Sequence, residues 1–188
     1  MNLSHLPNII TSIRIALVVP TVICLLEGRY VIAFWTFFIA GWSDALDGWL
    51  ARRNGWFSRL GSILDPIADK SLMFGVFLTL GYLGVVPLWV AVLVVSRDMV
   101  IIVGAAAYYF LFGTFNMAPS LVSKLNTLVQ IVFALGVMLS LSYLDIEQGF
   151  LDILMYVMVV TTIISGLDYV LVWSKKAIQT QKSGAGAS

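Results

Sequence analysis

The chain has 188 residues, 60% hydrophobic and 11% charged, with 11 Lys and Arg against 10 Asp and Glu. Soluble domains carry about 25% charged residues, so this composition excludes an ordinary soluble enzyme and points to a bilayer; no nucleic-acid partner is expected. The single cysteine, Cys24, excludes an internal disulfide and argues against a thiolate metal site, and the lone His5 has no His or Cys partner nearby.

A membrane-spanning helix needs about 20 mainly apolar residues. Six such runs are predicted: Leu6–Leu26, Tyr30–Leu50, Leu60–Gly81, Pro87–Leu111, Leu121–Tyr143 and Phe150–Trp173. The first lacks a basic leader and a small-residue cleavage signal, and Asn8, Thr11 and Arg14 interrupt it, so it reads as a retained helix with an interfacial start. Glu27-Gly28-Arg29 closes it, and Arg52-Arg53-Asn54-Gly55 follows the second run. Gly84 to Pro87, Gly113 to Pro119 and Asp145 to Gly149 mark the later breaks. The expectation is an all-α integral membrane bundle of six transmembrane helices over residues 1–176, with a flexible polar tail at 177–188.

Lys and Arg set the expected orientation. With six spans both termini share a side, and that side carries Arg52, Arg53 and Arg59 in one loop and Lys175, Lys176 and Lys182 in the tail. The other side has Arg29 with acidic Glu27, Asp145 and Glu147. Both termini are therefore expected in the cytoplasm. No Arg-rich transit segment is read, which favours a cell inner (plasma) membrane over the mitochondrial inner membrane.

The residues that carry chemistry lie around the second break. Asp44, Asp47, Asp65 and Asp69 sit in sequence otherwise apolar enough for membrane. Charge in hydrocarbon costs several kcal/mol unless paired, hydrated or metal-bound. Four of one sign cannot neutralise each other. At about 100° per residue, Asp44, Asp47, Gly48, Ala51 and Arg52 share a helical arc of roughly 140°, and Gly61, Asp65 and Asp69 share about 80°. A short loop joins the two helices, so they are expected to be antiparallel neighbours with facing polar ends. The all-oxygen donor set suits Mg²⁺ or Mn²⁺, and four carboxylates suffice to bridge two ions. Gly48, Ala51 and Gly61 leave room for a bulky ligand, and Arg52 offers a fork for phosphate, which together describe a diphosphate site. Other readings stand beside this one: an acidic cluster in a bundle also serves ion or proton transport, and small residues also serve helix packing.

The spacing D-x2-D-G-x2-A-R-x8-G-x3-D-x3-D, running unbroken from Asp44 to Asp69, resembles the signature of the CDP-alcohol phosphotransferases, an integral-membrane enzyme family with six helices. The resemblance covers nearly the whole chain. It implies two divalent ions held by Asp44, Asp47, Asp65 and Asp69, with Asp69 also the general base. It implies a CDP site lined by Gly48, Ala51, Arg52 and Gly61. Pro7-Asn8-x-x-Thr11-x-x-Arg14 matches the family's stretch beside the nucleotide, which adds Asn8 and Thr11; helix capping is their simpler role. A homodimer is implied too.

Two later segments bear on the acceptor. Ser96-Arg97-Asp98 interrupts the fourth run, and Ser123-Lys124-x-Asn126-Thr127-x-x-Gln130 opens the fifth. Arg97 and Lys124 are candidates to grip an acceptor phosphate. An ion pair with an aspartate for Arg97, and a snorkelling anchor for Lys124, are the alternatives. Within the family, phosphatidylglycerophosphate synthases usually show R-E and K-x-K-T here. The S-R-D and S-K-x-N-T-x-x-Q forms are similar to the cardiolipin synthases that use CDP-diacylglycerol. Phosphatidylglycerol, a phosphodiester, carries about one charge and glycerol 3-phosphate about two, so the loss of a lysine at Asn126 fits the lipid acceptor. The resemblance thus implies phosphatidyl transfer from CDP-diacylglycerol to phosphatidylglycerol, giving cardiolipin and CMP, with glycerol 3-phosphate as the second candidate acceptor.

Overall fold

The computed structural model describes residues 6–54, 61–112, 120–144 and 146–185, and side chains within 14–43, 70–104, 120–144 and 146–170. The described residues form six helices: α1 (Leu6–Leu26), α2 (Tyr30–Asn54), α3 (Gly61–Tyr82), α4 (Leu88–Phe112), α5 (Leu121–Ser142) and α6 (Gln148–Ala185). No strand occurs among them. All six predicted runs are therefore helical. α5 and the Gln148–Val170 part of α6 are, among the described residues, long and apolar enough to cross a membrane by length and composition. α2 runs on past Leu50 to Asn54, so Arg52 and Arg53 are helical; α6 continues past Trp173 to Ala185.

Two glycines end helices by the same device. Gly28 (φ 70°) follows α1, and the N–H groups of Gly28 and Arg29 donate to the Leu25 and Cys24 carbonyls at 3.1 and 2.8 Å. Gly84 (φ 70°) follows α3, with Gly84 and Val85 donating to Gly81 and Leu80 at 3.2 and 3.1 Å. This is the Schellman pattern, whose left-handed residue favours glycine because it lacks a Cβ. Both turns reverse the chain over a few residues and make antiparallel neighbours.

Around the bundle the helices pack in the order α1, α2, α5, α6, α4, α3, and α3 returns to α1. α2 and α3 touch each other only slightly; their common neighbour is α1. α2 and α3 therefore touch within a three-helix arrangement in which α1 packs against both. Gly75 explains the close approach of α1 to α3: a Cβ there would lie 2.9 Å from Val22 Cγ2 and 3.3 Å from Val18 Cγ1. On the other side Thr21 of α1 donates to Thr36 of α2 at 2.9 Å.

The core sits inside the ring, built from Phe37, Met73, Phe77, Val94, Phe133 and Met138 among others. Phe77 and Phe133 stack across it with centroids 6.3 Å apart, bringing α3 to α5. The outer surface is also apolar. Val19, Trp42, Val103 and Ile153 are each about 60% exposed, and Phe34, Phe38 and Trp42 stack along the outside of α2. Large contiguous apolar surface is rare on soluble monomers. Polar side chains of very low exposure, among them Arg14, Asp98, Asn126, Gln130 and Ser165, lie inside. Such a distribution suits a lipid surround.

Candidate active site

The chain order of the six helices puts one end of each at a common face: the start of α1, the end of α2 and the start of α3, then the end of α4, the start of α5 and the end of α6. Asp44, Asp47, Gly48, Ala51 and Arg52 occupy the last turns of α2. Gly61, Asp65 and Asp69 occupy the first turns of α3, and Asn8 and Thr11 the first turns of α1. The side chains of these ten residues lie outside the described residues. Among the described residues no group of three or more His, Cys, Asp or Glu is placed to hold a metal.

Immediately inward from Asp69 the side chains are described, and they form an ionic seam. Asp98 of α4 is fully buried, at 0% exposure. One of its oxygens, Oδ2, accepts from Lys70 Nζ of α3 at 2.8 Å, and Oδ1 accepts from Arg97 Nη1 at 2.6 Å. Arg97 Nη2 donates to Ser123 Oγ of α5 at 2.9 Å and also to Ser165 Oγ of α6. The Tyr169 ring lies 5.9 Å from the Arg97 guanidinium carbon, within cation–π range. Four helices therefore meet on one arginine–aspartate–lysine cluster. Isolated, each charge would be costly at this depth; breaking one partner out of a buried pair typically costs 3–5 kcal/mol.

A second polar layer lies one turn further along α5. Asn126 and Gln130 are both fully buried. Asn126 Oδ1 accepts from Thr161 Oγ1 at 3.0 Å and from Thr162 Oγ1 at 2.9 Å, and Gln130 Nε2 donates to Thr162 Oγ1 at 3.4 Å. Thr162 is thus shared by two amides. Replacing it with valine removes both bonds at nearly constant volume and should destabilise the protein by about 1–3 kcal/mol, read as a lower midpoint of thermal unfolding in detergent.

Of the two expected acceptor cations, Lys124 is exposed at the start of α5, whereas Arg97 is buried with its terminal nitrogens held by the protein. The ion-pair alternative weighed for Arg97 is present. It does not occupy the whole guanidinium, because Arg97 Nε has no hydrogen-bond partner among the described residues. Sequence reasoning missed Lys70, Thr161, Thr162 and Ser165. The available signal was three hydroxyl residues on one face of an otherwise apolar run in α6. Arg14, read as a polar residue of an interfacial helix start, is instead 1% exposed.

The described residues form an all-helical bundle with an apolar exterior and an ionic interior, and Asp44, Asp47, Asp65 and Asp69 fall on α2 and α3. The chain belongs to the CDP-alcohol phosphatidyltransferase family, whose model matches residues 4–173. It is 29% identical over 140 residues to the cardiolipin synthase (CMP-forming) of Rattus norvegicus, covering 65% of this chain and 45% of the rat protein. It is 31% identical over 174 residues to a probable phosphatidylglycerophosphate synthase of Mycobacterium tuberculosis, covering 89% of this chain and 81% of that protein. It is 29% identical over 111 residues to the CDP-diacylglycerol–glycerol-3-phosphate 3-phosphatidyltransferase of Bacillus subtilis, covering 58% of this chain and 56% of that one. The chain thus spans less than half the length of the rat relative.

Proposed function

We propose that this protein transfers a phosphatidyl group from CDP-diacylglycerol to the hydroxyl of phosphatidylglycerol, giving cardiolipin and CMP, within six membrane spans. Family membership and the unbroken spacing from Asp44 to Asp69 support the donor and the chemistry. The proposal includes an inner (plasma) membrane location, cytoplasmic termini and site, and a homodimer.

Four carboxylates without His or Cys fit a pair of hard divalent ions, Mg²⁺ or Mn²⁺. Asp44, Asp47, Asp65 and Asp69 would hold them, and bound ions would offset charge on the diphosphate and the departing CMP. Asp69 takes the proton of the acceptor hydroxyl. The freed oxygen forms a bond to the phosphorus bearing diacylglycerol, the bond from that phosphorus to the bridging oxygen breaks, and CMP leaves with the electron pair. Arg52 forks onto donor phosphate, Gly48, Ala51 and Gly61 leave it space, and Asn8 and Thr11 border the nucleotide. Lys124 and the Arg97 cluster supply positive charge for the acceptor phosphate.

The observation that carries the choice of acceptor is Asn126. It is a neutral amide, fully buried, with Oδ1 accepting from Thr161 and Thr162, so it adds no cation beside Lys124. A single-charge phosphodiester suits that balance better than a phosphomonoester. The second reading, transfer to glycerol 3-phosphate, is favoured by the Mycobacterium tuberculosis relative, whose similarity covers 89% of this chain. An acceptor panel decides between them. Purified protein with CDP-diacylglycerol and Mn²⁺ should release CMP with phosphatidylglycerol at least about tenfold faster than with glycerol 3-phosphate, a preference of about 1.4 kcal/mol. Release with glycerol 3-phosphate alone would reverse the assignment.

A further inference from the structure

Asp98 sits between two cations that belong to different helices, and it binds each through a different oxygen. A carboxylate used this way fixes a distance as well as a charge. Separating α3 from α4 breaks the Lys70 bond, and rotating the carboxylate to follow Lys70 loses the bond to Arg97 beside it on α4. Its two partners are not equivalent. Lys70 follows Asp69 directly in α3, so its ammonium ties the Asp69-bearing turn to α4. Arg97 is further held by Ser123 and Ser165, so the same carboxylate is linked to α5 and α6. Lys70 and Arg97 against Asp98 leave one net positive charge (two minus one), and only the Lys70 end is partly exposed, at 18%. A buried excess charge is stable only near a compensating anion.

We propose that Asp98 is a positioning residue. It sets the separation between the α3 turn carrying Asp69 and the cationic acceptor side at Arg97, so that an acceptor phosphate and its hydroxyl meet the base in register. This rests on the phosphatidyl-transfer reading above. It assigns Asp98 no contact with substrate. Asparagine has the same shape but one acceptor oxygen, and its amide N–H groups face a cation, so one arm of the bridge is lost.

The test is steady-state CMP release by the full chain in detergent micelles with Mn²⁺, varying phosphatidylglycerol and CDP-diacylglycerol separately. Asp98→Asn should lower kcat/KM for the acceptor by about 100-fold, the scale of a misplacement of roughly 1 Å, and leave KM for CDP-diacylglycerol within about twofold. Asp98→Glu, which restores the charge, should recover about a tenth or more of the wild-type value. Unchanged constants per folded molecule, or a rise in KM for CDP-diacylglycerol of about tenfold or more, overturn the proposal. If Asp98→Asn does not fold, Lys70→Met removes only the α3 arm and should still lower acceptor kcat/KM by about tenfold; no change there overturns it. If the wild type releases no CMP with any acceptor, the transfer reading has failed by itself. The bridge is then judged by thermal unfolding of Lys70→Met, Asp98→Asn and the double variant: non-additive midpoint shifts support it, and additive shifts overturn it.

Discussion

Replacing Asp69 by asparagine should lower CMP release by about 10²–10⁴-fold while the helical circular dichroism and the unfolding midpoint stay near wild type. Asparagine keeps the shape of the side chain and cannot take a proton at neutral pH, so it isolates proton transfer from packing. Asp65→Asn is the informative comparison. A residue that acts only as a metal ligand should lose activity that rising Mn²⁺ partly restores, since the deficit is one of affinity. A base should stay inactive at saturating metal. Near-normal turnover of Asp69→Asn removes it from the role of base, and equal rescue of both variants makes it a ligand only.

Chelation should have an effect of similar size. With EDTA, CMP release should fall to background, and Mg²⁺ or Mn²⁺ should restore it. Ca²⁺ should not: it binds oxygen ligands at about 2.3–2.6 Å in loose geometry, against about 2.0–2.1 Å for Mg²⁺. The reason lies in the four carboxylates spaced along α2 and α3. Without cations they repel one another and also repel a diphosphate, so neither donor binding nor departure of CMP is supported. Undiminished release in chelator contradicts the metal assignment. Cation flux across liposomes without any CDP-lipid is the result that favours the transport alternative.

The helices were legible because their signals are local. About 20 apolar residues followed by Gly28 or Gly84 mark an end that the chain can read without its neighbours. α1 and the start of α2 fall at the predicted residues for this reason. The far end of α6 was less legible. Lys175, Lys176, Ala177, Gln179 and Gln181 are polar or small but have good helix propensity, so hydropathy falls at Trp173 while the helix runs to Ala185. The neighbour relations were not legible either. Chain order suggested α2 against α3, and the packing of Val18 and Val22 onto Gly75 adds α1 as a further and more extensive partner of α3.

The candidate site divides along the same line. The order of residues alone carries the apolar character, the six helices found among the described residues, the carboxylate spacing from Asp44 to Asp69 and the family that goes with it. These depend on composition and on periodicity within one helix. The partners of Arg97 depend on which helices meet. Its aspartate is the next residue, yet Lys70 lies 28 residues from Asp98 and Ser165 lies 68 residues from Arg97. Asn126 likewise meets Thr161 and Thr162 from 35 and 36 residues away. Tertiary structure decided that Arg97 is anchored by Asp98 and that Asn126 Oδ1 is engaged by α6. The physical reason is that a buried charge or amide must find its partner wherever packing puts one, and packing is a property of the assembled bundle.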